Sequence, residues 1–80
     1  MSNSDFIYFN PVGETPFLLS EAKKKVGMTR KAVQLCAAKG RLNYATGEVV
    51  KLEMCRLHNG VGSTLEAIAR FMAKLNEMPE

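Results

Sequence analysis

Apolar and polar positions follow two different periods along the chain, and the first short segment has the pattern of a strand. The aromatic and β-branched run from Phe6 to Phe9 predicts a short strand or an extended arm. Prolines and a glycine between Asn10 and Phe17 interrupt this run and predict a loop. We therefore expect residues 1–19 to form an N-terminal strand or arm followed by a loop.

The next segment, residues 20–41, has the spacing of two short helices. The first helix is predicted from Glu21 to about Val26, with Ser20 as its N-cap and an acidic residue in its first turn. Ala22 and Val26 are four residues apart, so they share one face of this helix. Gly27 is predicted to end it, because glycine adopts positive φ without a steric penalty.

A second helix is predicted from Arg30 to about Lys39, with Thr29 as its N-cap and Gly40 as its terminator. Its apolar positions recur with the helical period and predict a buried stripe. The stripe consists of Val33, Cys36 and Ala37, with Ala32 at its edge.

The signal after Arg41 is mixed. Residues 42–54 alternate between apolar and polar side chains around the turn residues 45–47, which predicts a hairpin. The run from Glu48 to Leu57 also fits a helix that ends at the following Asn-Gly pair. Of the two interpretations we favour the hairpin.

A final helix is predicted over residues 63–76. Ser63 and Glu66 have the spacing of a capping box at its start. Its apolar stripe is predicted to consist of Leu65, Ile68, Met72 and Leu75, widened by Phe71. This stripe is expected either to cover the short helices or to pair with a second copy of the chain. The predicted fold is one domain that is mainly α with a small β-hairpin.

Charge is distributed unevenly along the 80 residues. The chain has a net charge of +3, but residues 21–42 contain seven basic side chains and one acidic one, a net charge of +6. The remaining residues sum to −3. A cationic face of this kind is typical of a protein that binds a polyanion, although a solvated lysine face that only aids solubility has the same composition.

The run EAKKKVGMTRKAVQLCAAKGRL has small or apolar residues where two packed helices require them. It resembles the helix-turn-helix of small phage and plasmid regulators, both the excisionase and MerR-like winged form and the form of Cro-type repressors. The resemblance extends over residues 20–54. It implies a helix-turn-helix fold, possibly winged, in which residues 29–39 enter the major groove of double-stranded DNA.

The resemblance also assigns side chains to the interface. The groove-facing residues that it implies are Thr29, Arg30, Lys31, Gln34 and Ala38, and the residues that hold the DNA backbone are Lys23, Lys24, Lys39 and Arg41. Arginine donates two parallel hydrogen bonds to guanine, and glutamine pairs in the same way with adenine. The expected function is sequence-specific DNA binding by a transcriptional regulator, a phage- or plasmid-type repressor. The alternatives are an excisionase-like architectural factor and a protein-docking adaptor or antirepressor.

A homodimer is expected, formed through the C-terminal helix or the N-terminal strand, because a domain of this size is only marginally stable alone. One histidine, no paired carboxylates and no phosphate loop predict no enzyme, no cofactor and no small-molecule substrate. Cys36, Cys55 and His58 are three soft ligands where a structural zinc site takes four, so we expect no metal and two reduced core thiols. No apolar run spans a bilayer and the N-terminus lacks the pattern of a signal peptide, which predicts a cytoplasmic protein.

Overall fold

Helices and strands are mixed along the chain in the computed structural model, which describes residues 6–78. The strands are β1 (Ile7–Tyr8), β2 (Pro16–Leu18), β3 (Arg41–Asn43), β4 (Glu48–Val50), β5 (Glu53–Leu57) and β6 (Gly60–Thr64). The helices are α1 (Ala22–Val26), α2 (Arg30–Ala38) and α3 (Leu65–Leu75), with a 3-10 turn at Leu19–Glu21 just before α1.

Four of these strands form one mixed sheet in the order β1-β5-β6-β2. β1 is parallel to β5, and the other two pairs are antiparallel. β3 and β4 form a separate two-stranded sheet. The expectation of a mainly α fold was therefore wrong, since 29% of the described residues are in strands and 38% are helical. The prediction of an N-terminal strand is confirmed by β1.

The strands that the sequence did not predict are short and contain residues that normally disfavour strands. β2 begins at Pro16, in a segment that was assigned to a loop. This proline is tolerated because β2 is an edge strand, where a missing N–H costs no ladder hydrogen bond. β6 contains two glycines and was interpreted as the approach to a helix.

The predicted α1–α2 helix pair is present within this α+β fold. Gly27 follows α1 with φ of 74°, and the Thr29 hydroxyl accepts the Ala32 N–H at 3.1 Å, so the terminator and the second cap are confirmed. The Ser20 cap was wrong, because the N-cap residue of α1 is Glu21 and its side chain makes no capping bond. The 3-10 turn occupies the position where the cap was expected.

α3 begins one residue later than the capping-box spacing indicated. Thr64 is the N-cap and accepts the Ala67 N–H at 2.9 Å, while Ser63 belongs to β6. The Glu66 carboxylate instead accepts the Thr15 N–H at 2.6 Å. The predicted capping box was wrong because the strand preceding α3 continues through Thr64 and fixes where the helix starts.

The buried side of α3 also differs from the predicted stripe. α3 packs against β3, β4, β5 and β6, and it presents Ala67 and Phe71 to them. Leu65 is 39% exposed and Met72 is 47% exposed, whereas Phe71 is only 4% exposed. Ile68 and Leu75 of the predicted stripe are partly buried and pack against the core, as Phe71 does. The prediction fails only for Leu65 and Met72. The helix is slightly rotated relative to the prediction, because it covers strands rather than the two short helices.

The predicted hairpin is present, but it is shorter than residues 42–54. β3 and β4 pair antiparallel around the turn at residues 44–47. Residues from Glu53 onward belong to the larger sheet, so the alternative of a helix from Glu48 to Leu57 was wrong. The period-2 pattern of this region arises from two successive hairpins, β3–β4 and β5–β6.

The core lies between the large sheet and the helices. Val33 of α2, Leu52 and Met54 have no exposed surface, and they pack together with Phe17 of β2 and Phe71 of α3. Because α2 contributes to the same core as the sheet, its orientation is fixed by residues from both ends of the chain. Within residues 6–78, no helix has the length and apolarity that crossing a membrane requires.

Arg70 joins the loop after β1 to α3 and β5. Its guanidinium donates to both carboxylate oxygens of Glu14, at 3.0 and 3.2 Å, and to Glu53 at 2.8 Å. The Thr64 hydroxyl donates to the same Glu14 carboxylate. The hydrogen bonds from Arg70 and Thr64 lower the pKa of the Glu14 carboxyl, and the bond from Arg70 has the largest effect. The loop from Asn10 to Thr15 is thereby attached to the start of α3.

Asn43 links the β3–β4 hairpin to the end of α3, and its loss is expected to be costly. Its amide donates to the carbonyl oxygens of Lys74 at 3.0 Å and Glu77 at 2.9 Å, and its oxygen accepts from the N–H groups of Ala45 and Thr46. We expect Asn43→Ala to lower the free energy of unfolding by about 2–4 kcal/mol, because the side chain is buried and its partners lose their bonds. Urea unfolding measures this change.

Two variants control this measurement. Asn10 is exposed and accepts one bond, from the Val12 N–H, so Asn10→Ala is expected to cost less than about 0.5 kcal/mol. Asn43→Asp keeps the acceptor oxygen but faces two carbonyl oxygens with a carboxylate, so it is expected to be at least as destabilising as Asn43→Ala at neutral pH. Equal stability of Asn43→Ala and Asn10→Ala would contradict the role given to Asn43.

Candidate nucleic-acid interface

α2 has one buried side and one exposed side, as its sequence predicted. Val33 and Ala37 have no exposed surface and Cys36 has almost none, whereas Lys31 and Leu35 are exposed on the opposite side. The helix therefore presents a ridge to solvent that is held from behind by the core. Leu35, at 38% exposure, is an apolar group on this ridge.

A groove runs along each flank of the ridge. One groove, about 400 Å³ in volume, lies between α2 and the turn of the β5–β6 hairpin and is bordered by Arg30, Gln34 and Asn59. The other, of similar volume, lies between α2 and the start of β3 and is bordered by Ala32 and Arg41. The ridge thus lies between parts of two hairpins.

The cations of this region are exposed and have no acidic partners. The seven basic side chains are Lys23, Lys24, Lys25, Arg30, Lys31, Lys39 and Arg41, and all are exposed. Among residues 6–78, none of them forms an ion pair, whereas Arg70 and Lys74 are both paired with glutamates. The positive charge of the segment is therefore not compensated by neighbouring carboxylates, which leaves it available to an anionic ligand.

The residues that the resemblance assigned to base contacts do not all reach the surface. Thr29, Arg30 and Lys31 are exposed, and Gln34 is half-buried at the edge of its groove. Ala38, however, is only 8% exposed and belongs to the core. Its expected place on the groove-facing side was wrong, because the last turn of α2 turns this position toward the protein interior.

The backbone-holding residues lie at both ends of the helix pair. Lys23 and Lys24 are on α1, and Lys39 and Arg41 follow α2. Arg41 and Cys36 border the same groove. Burial raises the pKa of the Cys36 thiol, and the positive charge of Arg41 partly opposes this effect.

The two cysteines are free and buried, in agreement with their expected role as small core residues. Burial raises the pKa of the Cys55 thiol, and the negative charge of Glu14 raises it further. Thiols with raised pKa values remain protonated and are poor nucleophiles and metal ligands. Within the described residues, no three side chains of histidine, cysteine, aspartate or glutamate are grouped as a metal site requires.

Sequence reasoning missed Ser20 and Asn59, which border the same groove as Arg30 and Gln34. Asn59 lies in the two-residue turn between β5 and β6. The Asn-Gly pair was the signal that could have revealed it, because this dipeptide is common in hairpin turns as well as at helix ends. The sequence interpretation used it only as a helix terminator.

No protein-family model, curated protein or solved structure matches this chain. The helix-turn-helix resemblance of residues 20–54 therefore has no support from related proteins. What remains for a functional assignment is the geometry and charge of α2 and its two flanking grooves.

Proposed function

We propose that this protein binds double-stranded DNA as a small transcriptional regulator of the repressor type, with α2 entering the major groove. The observation that carries the proposal is the uncompensated positive charge around a helix whose other side is anchored in the core. A groove-reading helix needs both properties, because it must keep its orientation while it approaches phosphates. Such a function belongs in the cytoplasm.

Each exposed side chain of α2 has a role suited to its chemistry. Arg30 and Gln34 are side by side on one flank and supply the bidentate donors that read guanine and adenine. Leu35 on the ridge is placed to contact a thymine methyl group. Lys23, Lys24 and the cations that follow α2 are expected to contact phosphates, which orient the protein without reading sequence.

Selection of bound sites from a random duplex pool is the first test of this proposal. A DNA-binding regulator is expected to enrich a defined sequence, and its affinity for that sequence should fall steeply with salt concentration. A protein-docking adaptor would enrich no sequence and show no such dependence. The absence of both enrichment and salt dependence would refute the proposal.

Arg30→Ala and Lys24→Ala are expected to affect binding differently. Arg30→Ala should weaken binding to the selected site by about 1–3 kcal/mol and relax the preference for one base pair, since it removes a bidentate base contact. Lys24→Ala should weaken selected and random duplexes by the same factor, because a phosphate contact is independent of sequence. Fluorescence anisotropy with both duplexes measures the two effects.

Thermal unfolding of both variants serves as the control, since both side chains are exposed and unpaired and should leave stability unchanged. Equal losses on selected and random DNA for Arg30→Ala would show that Arg30 does not read bases. A changed base preference in Lys24→Ala would show that the helix pair is oriented differently from the proposal.

We further propose that the partner of α3 is a second copy of this chain. Leu65 and Met72 are large apolar side chains that the core leaves partly exposed on one side of this helix, and a domain of 80 residues gains stability from such burial. A repressor dimer would place its two α2 helices in successive major grooves, about 34 Å apart. Sedimentation equilibrium of Leu65→Lys beside the unchanged chain tests this, and an unaltered mass would contradict it.

A further inference from the structure

The groove between α2 and the β5–β6 turn contains hydrogen-bonding groups that no other part of the protein uses. Ser20, Arg30 and Asn59 are exposed along it, and Gln34 is half-buried. Within residues 6–78, none of these four side chains forms a hydrogen bond or an ion pair, and no acidic residue borders the groove. The groove is therefore open, positively charged by Arg30, and rich in free donors.

The width of the DNA groove determines what would lie beside α2. An α-helix with its side chains is about 10–12 Å across, and the major groove of B-DNA is about 12 Å wide. A helix that enters the groove therefore fills it, so the helix's own side chains reach the base edges, whereas neighbouring elements beside the helix face the sugar-phosphate backbone. The β5–β6 turn is such an element, because it borders the same flank of α2 as Arg30 and Gln34.

We propose that this groove holds one phosphate of the DNA backbone, with the side-chain amide of Asn59 and the hydroxyl of Ser20 donating hydrogen bonds to its non-bridging oxygens. Backbone phosphates commonly accept such bonds from asparagine and serine, which fix the register of a protein on the duplex. The inference rests on the proposed function. It adds a second hairpin, remote in sequence from the helix pair, to the DNA-binding surface.

The turn is suited to hold Asn59 in a fixed position. It consists of two residues, His58 and Asn59, between Leu57 and Gly60, which pair with each other across the hairpin. Gly60 has φ of 143°, a conformation that glycine adopts without penalty. A two-residue hairpin turn has few backbone conformations, so contact with a ligand mainly orders the side chain of Asn59 and loses little backbone entropy.

The test compares Asn59→Ala, Asn59→Lys and the unchanged chain on the selected duplex over a range of salt concentrations. Asn59→Ala is expected to weaken binding about tenfold, the usual effect of losing a hydrogen bond to a charged group. The loss should be equal on selected and random duplexes. The slope of log K against log salt should stay constant, because asparagine carries no charge. Asn59→Lys should steepen this slope by about 0.9, because it adds one ionic phosphate contact.

A charge control and a DNA control accompany these variants. Asn59→Asp should bind more weakly than Asn59→Ala because its carboxylate faces a phosphate, whereas Asn10→Asp, outside the groove, should match the unchanged chain apart from its added charge. Replacing single phosphates by neutral methylphosphonates should identify one position where the effect of Asn59→Ala disappears. Thermal unfolding checks each variant, and Asn59→Lys decides the question if Asn59→Ala fails to fold.

The possible outcomes separate this inference from the proposed function. If the unchanged chain binds DNA but the Asn59 variants bind equally well, the phosphate site is wrong and the proposed function stands. If the loss in Asn59→Ala depends on one base pair, Asn59 reads a base and the phosphate site is also wrong. If the unchanged chain binds no duplex, both are wrong.

Discussion

Gly62→Ala is expected to remove a large part of the protein's stability. Gly62 lies in β6 opposite Leu18 of β2 and Cys55 of β5, and an added methyl group would overlap the carbonyl oxygen of Phe17. Backbone atoms of a paired strand cannot move aside as a side-chain tip can. β2 would therefore have to separate from β6 and withdraw Phe17 from the core.

The expected loss in the free energy of unfolding is about 3–5 kcal/mol, the size of a core disruption. A domain of 80 residues has a total stability of roughly 4–12 kcal/mol, so this loss removes a large part of it. Urea unfolding followed by circular dichroism measures the change. If most of the variant is recovered in aggregates, limited proteolysis of the remaining soluble fraction reports the same loss.

Gly13→Ala is the control, because the two variants are expected to lose stability for different reasons. Gly13 has φ of 79° but open space around it, so its alanine variant is expected to lose only about 1–2 kcal/mol through backbone strain. Gly62 has no positive φ, and its variant isolates the effect of close strand approach. If both variants lose the same stability, β2 and β6 are not packed as closely as the structure indicates.

The double variant Lys23→Gln/Lys24→Gln is expected to have the largest effect on DNA binding. Each lysine is exposed and unpaired, and each phosphate contact contributes about 0.9 to the slope of log K against log salt. Removing two contacts should lower the slope by about 1.8. If the two proteins bind equally at 1 M salt, the variant should bind roughly 60-fold more weakly at 0.1 M. Filter binding or anisotropy on one duplex across the salt series measures both quantities.

Lys51→Gln/Lys74→Gln is the control with the same change in net charge. These two lysines border a cleft beside α3, and Lys74 is already paired with Glu77 at 3.3 Å. We expect this variant to retain most of the slope, because its charges lie outside the proposed interface. Equal effects of the two double variants would mean that DNA binding depends on total charge and that α1 and α2 form no localised interface.

The parts of the structure that the sequence predicted well are those specified by local interactions. Three such features depend only on residues within one or two helical turns. They are the end of α1 at Gly27, the cap of α2 at Thr29 and the buried position of Val33. Local signals of this kind are present in a single sequence. The positions of Arg30 and Lys31 on the exposed side of α2 followed from the same periodicity.

The large sheet could not be predicted in this way because its strands are short and pair over long distances. β1 has two residues and β2 has three, too few for a period of two to be recognised. β1 pairs with β5 more than 40 residues later in the chain, and nothing local specifies that partner. From the sequence alone, the glycines of β6 indicate a turn or a linker. The structure shows instead that β2 approaches Gly62 too closely for any side chain.

The site predicted from the sequence was incomplete for the same reason. Asn59 borders α2 only because the β5–β6 hairpin folds back beside a helix that precedes it by about 25 residues. Ala38 was misplaced because it belongs to the core that α2 shares with residues of the sheet, which the sequence did not reveal. The predicted buried face of α3 was rotated relative to the observed one, because the helix packs against strands rather than helices.

The sheet order β1-β5-β6-β2 also determines when the protein can fold during its synthesis. β1 and β2 leave the ribosome long before β5 and β6, so β1 has no complete partner strand until Leu57 has been made, and β2 has none until Thr64 has been made. α2 gains its full support only then, because Val33 packs against residues from that later part. A nascent chain that stops after the two short helices is therefore expected to remain unfolded and to lack the proposed interface.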